Sequence, residues 1–435
     1  MFRKLVKKVI PVALFRAIEP TGHLLESVMW QVLLGFPARD LKIVGVTGTN
    51  GKTTTCYMIH EMLHTAGYKV GLMTTVGYGA GMDIHPQMTH MTTMPTHAML
   101  KRIKQLREKG IDWLILETTS HALAQNRVWG IPYSVAVMTN VTHEHLAYHR
   151  TFTRYRDAKV KLFKLAAANV KGRRLGIVNA DDPSAAYFAK AVPAVILYGV
   201  TSPADVRAVK VHSTALTNTY DLEYAGRKLH MKTELPGSFN ISNSLAAASV
   251  GLALGLTSDQ IENGIAALRT VEGRMTRVDK GQDFTVIVDY AHSPDSFEKL
   301  FIDMKPLVKG RLIVVFGSQG GTGDVTKRPI QGKLAGQYAD LVVITEEDDR
   351  GEDGQAILEE IARGTEDAGK VRDSNYWLIH DRTEAIEFAL RKARHGDAVL
   401  LLGKGHEKTI ERKVEGEEPW DEVMTAEEAL VKLAV

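Results

Sequence analysis

Short apolar runs separated by helix-forming stretches set the rhythm of this chain. Ile43, Val44, Gly45 and Val46 form an unbroken apolar run suited to a buried strand, and residues 56–63 can continue as a helix. Further runs at 113–116, 135–138, 175–178 and 195–198 alternate with helical patterns. Residues 41–270 are therefore expected to build a largely parallel sheet covered by helices. A second series begins at 271, with runs at 284–288, 312–316, 341–344, 376–379 and 398–402. It predicts a smaller doubly wound domain over 271–435, its ligand-facing residues at the strand carboxyl ends. The fold class expected is α/β.

Residues 1–40 read as a helical extension. Arg3, Lys4, Lys7 and Lys8 among Phe2, Leu5, Val6, Val9 and Ile10 predict a short basic amphipathic helix ending near Pro11, and a second apolar stretch covers 24–34. A lead-in packed on the first domain is favoured over a membrane-surface or partner-binding helix, because the segment is short and has one strongly basic turn.

A length of 435 residues exceeds what one core holds and predicts two or three domains. The net charge of +3, well mixed along the chain, leaves no electrostatic footprint of nucleic-acid binding. Cys56 is the single cysteine, which excludes a disulfide framework and a four-cysteine zinc site, and its position predicts a packing role. With no apolar run long enough to span a bilayer and no signal-peptide pattern, the expected location is the cytoplasm.

The chemistry concentrates where the first run ends. Gly48-Thr49-Asn50-Gly51-Lys52-Thr53-Thr54 is a glycine-bearing turn between a strand and a helix, one residue tighter than the usual P-loop spacing. Its N–H groups and the helix start can cradle phosphate oxygens. Lys52 is placed to neutralise the β- and γ-phosphates and Thr53 to hold magnesium. Glu117 emerges at the end of another run, suited to an oxygen-loving cation, although a helix N-terminus would also account for it. Residues 139–149 follow a third run and carry His143, His145 and His149, without the partners or register of a zinc site.

Together these pieces resemble the Mur ligases, the ATP-dependent amino-acid ligases of peptidoglycan precursor synthesis, and within them the branch that adds the third residue of the stem peptide. The matching segments are 47–54, 117–123 with Gln125 and Arg127, 139–149, 157–159, 178–182, 235–243, 271–275, 288–296, 327–329 and 403–407, in the family's order. The resemblance implies a central ATPase domain and a Rossmann-like C-terminal domain. It also implies an ATP-dependent amide ligase in which ATP phosphorylates an acceptor carboxylate and an amine attacks the acyl phosphate. ATP and Mg2+ are the implied cofactors. By motif match, Thr53 and Glu117 hold the metal at the phosphates, His145 serves a second metal, and Lys159 is the lysine that becomes carbamylated. Gly48 to Thr54, Asn243, Arg274 and Asp289 match nucleotide contacts. Thr92, Thr93, Ser120, Gln125 and Arg127 match acceptor contacts, and Asp348, Arg350, Gly403 and Glu407 match amino-acid contacts.

The departures from the pattern leave alternatives open. The family's uridine-nucleotide domain occupies on the order of a hundred residues before the P-loop, whereas Gly48 stands close to the start here. The expectation is an acceptor whose UDP end is left free, a partner that replaces the domain, or an acceptor without UDP. Gly323 stands where diaminopimelate-adding relatives have an arginine, and their Asp-Asn-Pro-Arg motif reads Glu347-Asp348-Asp349-Arg350. Loss of a cation at 323 and gain of an acid at 348 make the expected pocket more negative, so diaminopimelate and a lysine-like diamine both remain, with Arg350 favouring the former. Membrane association is expected only through residues 1–36, if anywhere. The rival readings are a folylpolyglutamate-synthetase-like ligase and a nucleotide-binding regulatory protein with a dead ligase site.

Overall fold

The computed structural model describes residues 12–87, 92–142, 144, 146–214, 216–321, 325–412 and 416–433, and side chains from Ile18 onward except those of 146 and 147. The basic helix expected over residues 3–10 lies outside them, as do His143, His145 and Gly323. Internal contacts divide the chain into two compact units. The first comprises Met1–Val211, Tyr220–Lys232 and Ile241–Leu268, the second His212–Thr219, Thr233–Asn240 and Arg269–Val435.

Among the described residues, eleven strands join in one sheet. They are β1 (Lys42–Thr47), β2 (Val70–Met73), β3 (Gly77–Ala80), β4 (Asp83–Pro86), β5 (Trp113–Glu117), β6 (Tyr133–Met138), β7 (Leu175–Asn179), β8 (Ala194–Gly199), β9 (Val206–Ser213), β10 (Asn218–Tyr224) and β11 (Arg227–Thr233). Their order is β11-β10-β9-β8-β7-β6-β1-β5-β2-β3-β4. From β9 to β2 neighbours run parallel, while β3 and β4 add an antiparallel edge. β1 lies between β5 and β6, with Val46 opposite Glu117 and Thr47 opposite Met138, so the three strands end level. That register gathers the polar residues after each strand at one rim.

The central strands are apolar throughout because helices cover them. All residues of β5, β6 and β7 are buried. The helix Phe152–Ala168 is capped by Thr151, whose hydroxyl accepts from the Arg154 N–H at 3.2 Å. Its buried face carries Tyr155, Lys159, Leu162, Phe163 and Ala166, an i, i+4, i+7 stripe with one cation among the apolar side chains. The apolar stretch expected at 24–34 falls in the helix Val12–Leu33.

In the second unit, β12 (Thr276–Val278), β13 (Thr285–Asp289), β14 (Leu312–Phe316), β15 (Leu341–Ile344), β16 (Tyr376–Leu378) and β17 (Ala398–Leu402) form a sheet ordered β12-β13-β17-β14-β15-β16. All neighbours but β12 and β13 are parallel. Strand periodicity sorts the side chains into two cores. Leu312, Val314, Phe316, Leu400 and Leu402 join one, with Phe297, Phe301, Leu358 and Ile361 from helices Pro294–Met304 and Gly354–Asp367. Ile313, Val315, Val399 and Leu401 join the other, with Ile386 and Leu390 from Arg382–Lys392 and Ala426 and Leu430 from Glu422–Leu433. Ser293 closes a capping box before Pro294. A two-stranded hairpin, β18 (Thr409–Arg412) with β19 (Gly416–Pro419), follows β17.

Candidate active site

The turn after β1 is shaped by two glycines. Gly51 has φ 82 and precedes the helix Lys52–Thr65, and a Cβ there would lie 2.3 Å from Asn243 Oδ1. A Cβ on Gly48 would lie 1.8 Å from Thr139 Oγ1. Neighbouring backbone holds the loop open. Thr49 N–H donates to the Asn140 carbonyl at 2.8 Å, Asn50 N–H to Asn140 Oδ1 at 2.9 Å, and Thr139 Oγ1 to the Asn50 carbonyl at 2.6 Å. Lys52 Nζ curls back to the Thr49 carbonyl at 2.6 Å. The result is a pinned turn that leads into a helix start with a lysine over it, which suits phosphate.

Beside the cradle, Glu117 ends β5 almost fully buried. Its Oε2 accepts from Thr53 Oγ1 at 3.0 Å, Thr75 N–H at 2.9 Å and Thr75 Oγ1 at 3.0 Å. A carboxylate and two hydroxyls in contact make an oxygen-only donor set, which fits a hard cation such as magnesium. Lys159, buried on the helix Phe152–Ala168, donates to the Gly48 carbonyl from the far side of the loop. Burial first, then the Lys52 charge, push its amine well below the ordinary lysine range. His149 Nε2 lies 3.1 Å from Ser120 Oγ, and burial with the nearby Lys159 charge lowers its pKa to about 4. Cys56 is fully buried, and burial pushes its thiol well up, in keeping with a packing role.

Of the expected acceptor residues, Thr93 and Arg127 connect to Glu117. Thr93 Oγ1 donates to the Glu117 carbonyl at 3.3 Å and accepts from Thr119 N–H at 3.0 Å. Buried Arg127 donates from Nη1 to the carbonyls of Thr93 and Met94. Ser120 is buried and pairs with His149 instead. Gln125 is half-buried and is tied through Tyr148. Thr92 is half-buried just before Thr93. Asn243 accepts from Thr55 Oγ1 at 3.3 Å and thereby closes on the P-loop helix.

The second unit gathers its own polar groups at the ends of β13, β15 and β17. Asp289 accepts from the N–H groups of Met275 and Ala291 at 2.8 Å each, and burial raises its pKa against the Arg274 charge. Arg274 stacks over the Tyr290 ring at 4.6 Å. Lys404, fully buried, donates to Asp348 Oδ1 at 2.9 Å and Glu407 Oε2 at 2.8 Å. Arg350 Nη2 donates to Asp348 Oδ2 at 3.2 Å, and Tyr290 OH to Glu407 Oε1 at 3.3 Å. Asp348 was expected to make the pocket more negative, but Lys404 and Arg350 answer its charge. Glu347 is fully buried, and among the described residues neither of its oxygens accepts a hydrogen bond, although the charges of Lys327 and Lys404 act on it. Burial raises its pKa to about 7. Gly403, at φ 106, packs against it, since a Cβ would sit 2.9 Å from Glu347 Oε2.

Curated relatives decide the family. The chain is 40% identical over 437 residues to a UDP-N-acetylmuramyl-tripeptide synthetase of Roseiflexus sp. (strain RS-1), covering 98% of this chain and 85% of that protein. It is 39% identical to a UDP-N-acetylmuramoyl-L-alanyl-D-glutamate–2,6-diaminopimelate ligase of Geobacillus thermodenitrificans (strain NG80-2), covering 90% and 79%. Residues 46–251 match the Mur ligase middle domain and residues 273–405 the Mur ligase glutamate ligase domain. The chain belongs to the Mur ligase family. As a member it is an ATP-dependent ligase, and the regulatory reading falls.

Solved Mur ligase structures agree on the fold. A UDP-N-acetylmuramoyl-L-alanyl-D-glutamate–2,6-diaminopimelate ligase superposes with TM-score 0.65 at 28% identity, over 96% of this chain and 83% of that one. A Mycobacterium tuberculosis folylpolyglutamate synthase reaches 0.70 at 18% identity, over 96% and 95%, a likeness of fold alone. Sequence reasoning missed two groups in this Mur ligase. Thr75 carried no motif, and only the pairing of β2 beside β5 brings it to Glu117. Glu347 was passed over for its neighbours, because loss of solvent and of every donor is invisible in one dimension.

Glu346, Asp349 and His380 also bring ligand atoms within 4.8 Å of one another. Arg412 already takes Glu346 with Nε at 3.0 Å and Nη2 at 2.7 Å, so the cluster is an ion-pair node.

Proposed function

We propose that this ligase adds a diamino acid, diaminopimelate ahead of lysine, to a muramoyl-peptide-type acceptor through an acyl-phosphate intermediate. The observation that carries the reading is the convergence of Lys52, Thr53, Glu117 and Lys159 on the level ends of β1 and β5. Two anions, a carboxylate and a γ-phosphate, must meet there, and they repel unless cations lie between them. Lys52 and the loop N–H groups hold the phosphates in line. Magnesium, held by Thr53 and Glu117, would neutralise phosphate charge. By motif match, Arg127 and Thr93 would belong to the acceptor side of the site. By the same match, Lys159 in its carbamylated form and His145 are the residues that would hold a second magnesium. Burial of Lys159 beside the Gly48 carbonyl supports that role, because a carbamate there is shielded from water.

Glu347 supports the diamine. An acid buried without a hydrogen-bond donor is costly unless a ligand supplies one, and a diamino acid carries a spare ammonium. Arg350, about a third exposed, pairs with Asp348 at 3.2 Å and would have to share that pairing to meet a distal carboxylate. A cytoplasmic setting agrees with soluble substrates of this kind.

The test is phosphate release and product mass with muramoyl-dipeptides, with and without UDP, against diaminopimelate, lysine and monoamino acids. A folate–glutamate pair serves as the contrasting arm. Turnover only with folate, or equal turnover with monoamino acids, contradicts the proposal. Lys159→Ala should lose activity and regain part of it with short-chain carboxylates in the buffer, which occupy the vacated ligand position. Full activity in that variant contradicts the metal role.

A further inference from the structure

The helix Val12–Leu33 meets the first unit through a polar stripe. His23, Ser27 and Gln31, spaced to share one face, are buried there, and Trp30 packs on the core beside them. Ser27 Oγ donates to the Asn126 carbonyl at 3.0 Å and lies 3.1 Å from Thr96 Oγ1, which donates to the next carbonyl, that of Arg127, at 3.1 Å. Asn126 Nδ2 returns a bond to the Pro20 carbonyl at 3.1 Å, and Gln31 Nε2 donates to the Trp129 carbonyl at 3.0 Å. Gly130 makes room for that amide, since a Cβ there would lie 2.8 Å from Gln31 Nε2. From the other side Lys161, on the helix that carries Lys159, donates to Asn126 Oδ1 and, at 3.0 Å, to the Leu123 carbonyl. Glu19 Oε2 accepts from Tyr148 OH at 3.5 Å, and Tyr148 also meets Gln125.

These bonds converge on the turn 125–129, which leaves the short helix Ser120–Ala124 and carries Gln125 and Arg127. Asn126 stands there at φ 56, a left-handed conformation that asparagine tolerates and that its side-chain bonds hold. Burying hydroxyls and an amide is costly unless each finds a partner, so apolar residues would serve plain adhesion better. Bonds to chosen carbonyls instead fix where the turn stands. We propose that Ser27 and Thr96 are positioning residues for the acceptor, through which the helix Val12–Leu33 sets Gln125 and Arg127 in place to meet it. The proposal rests on the motif match that assigns those two residues to the acceptor. The P-loop is pinned separately, by Thr139 and Asn140, so loosening the turn should be felt by the acceptor and not by ATP.

The test is initial-rate kinetics of phosphate release by the full chain, with the muramoyl-dipeptide and amino acid that the parent turns over. Ser27→Ala and Thr96→Val should each raise KM for the acceptor by about threefold to tenfold, the scale of one lost hydrogen bond. Both kcat and KM for ATP should stay within about twofold, since neither chemistry nor phosphate binding is touched. Thr96→Ser, which keeps the hydroxyl, should hold acceptor KM within about twofold of the parent. Acceptor KM unmoved in both Ser27→Ala and Thr96→Val, or raised together with KM for ATP, overturns the proposal. Arg127→Lys tells the two possible failures apart. A raised acceptor KM in Arg127→Lys with none in the other variants removes the positioning role alone, whereas an unmoved one removes the acceptor assignment and the proposal with it.

Discussion

Glu347 combines a structural cost with a functional use. Its folded pKa of about 7 lies above the ordinary 4.5, so between these values the folded state holds a proton that the unfolded chain has lost. Stability therefore falls as pH rises through that window, by on the order of 3 kcal/mol in all, and the loss is complete above about pH 7. Glu347→Gln should remove the slope and raise the urea midpoint at about pH 8, where the parent bears a buried charge. The same change should raise KM for the diamine. A variant no more stable than the parent at that pH would show that the buried Glu347 carboxylate carries no net cost. Lys52→Ala should cost at least roughly a hundredfold in ATP turnover with the melt unchanged, because the developing phosphate charge loses its preorganised cation. A near-normal rate would contradict the P-loop assignment. Arg350→Ala should raise KM for diaminopimelate sharply and change lysine use little, and equal effects on both would show that Arg350 does not select. At this scale the sequence disclosed residues that belong to motifs, such as Lys52, Glu117 and Lys159. Glu347 escaped because its role lies in what surrounds it.

Elements built from unbroken apolar runs were legible, and β1, β5, β6, β14 and β17 stand where the pattern predicts. The elements missed are those that alternate. β10 buries every second residue over Asn218–Tyr224, and β4 is nearly all exposed, so neither shows a continuous apolar run. The helices Arg382–Lys392 and Glu422–Leu433 are joined by a link of equal obscurity. Arg382, fully buried, meets Glu422 through Nη2 at 2.6 Å and Nε at 2.9 Å, and its Nη1 and Nη2 reach the carbonyls of Glu346 and Leu402. Arg382→Met should lose about 3–5 kcal/mol, since it strands a buried carboxylate. Adding Glu422→Leu should restore much of that in urea unfolding. A double variant as weak as the single would assign the link to the carbonyl contacts instead.

Across the whole molecule, the order of motifs along the chain carried the family, while the fold explains why they are spaced as they are. The sets at 47–54, 117–123 and 139–149 follow the carboxyl ends of β1, β5 and β6, and the register of these parallel strands turns distant segments into one rim. The identity of the amino acid was less legible, because it depends on which acids remain without a hydrogen-bond donor after Lys404 and Arg350 have taken theirs. The central claim is activation of an acceptor carboxylate by phosphoryl transfer. Its most direct test is turnover of an acceptor labelled with heavy oxygen in that carboxylate, followed by mass analysis of the phosphate released. The account predicts one labelled oxygen in each phosphate, present in the parent and absent in Lys52→Ala. Unlabelled phosphate, with both heavy oxygens retained by the unreacted acceptor, would contradict it.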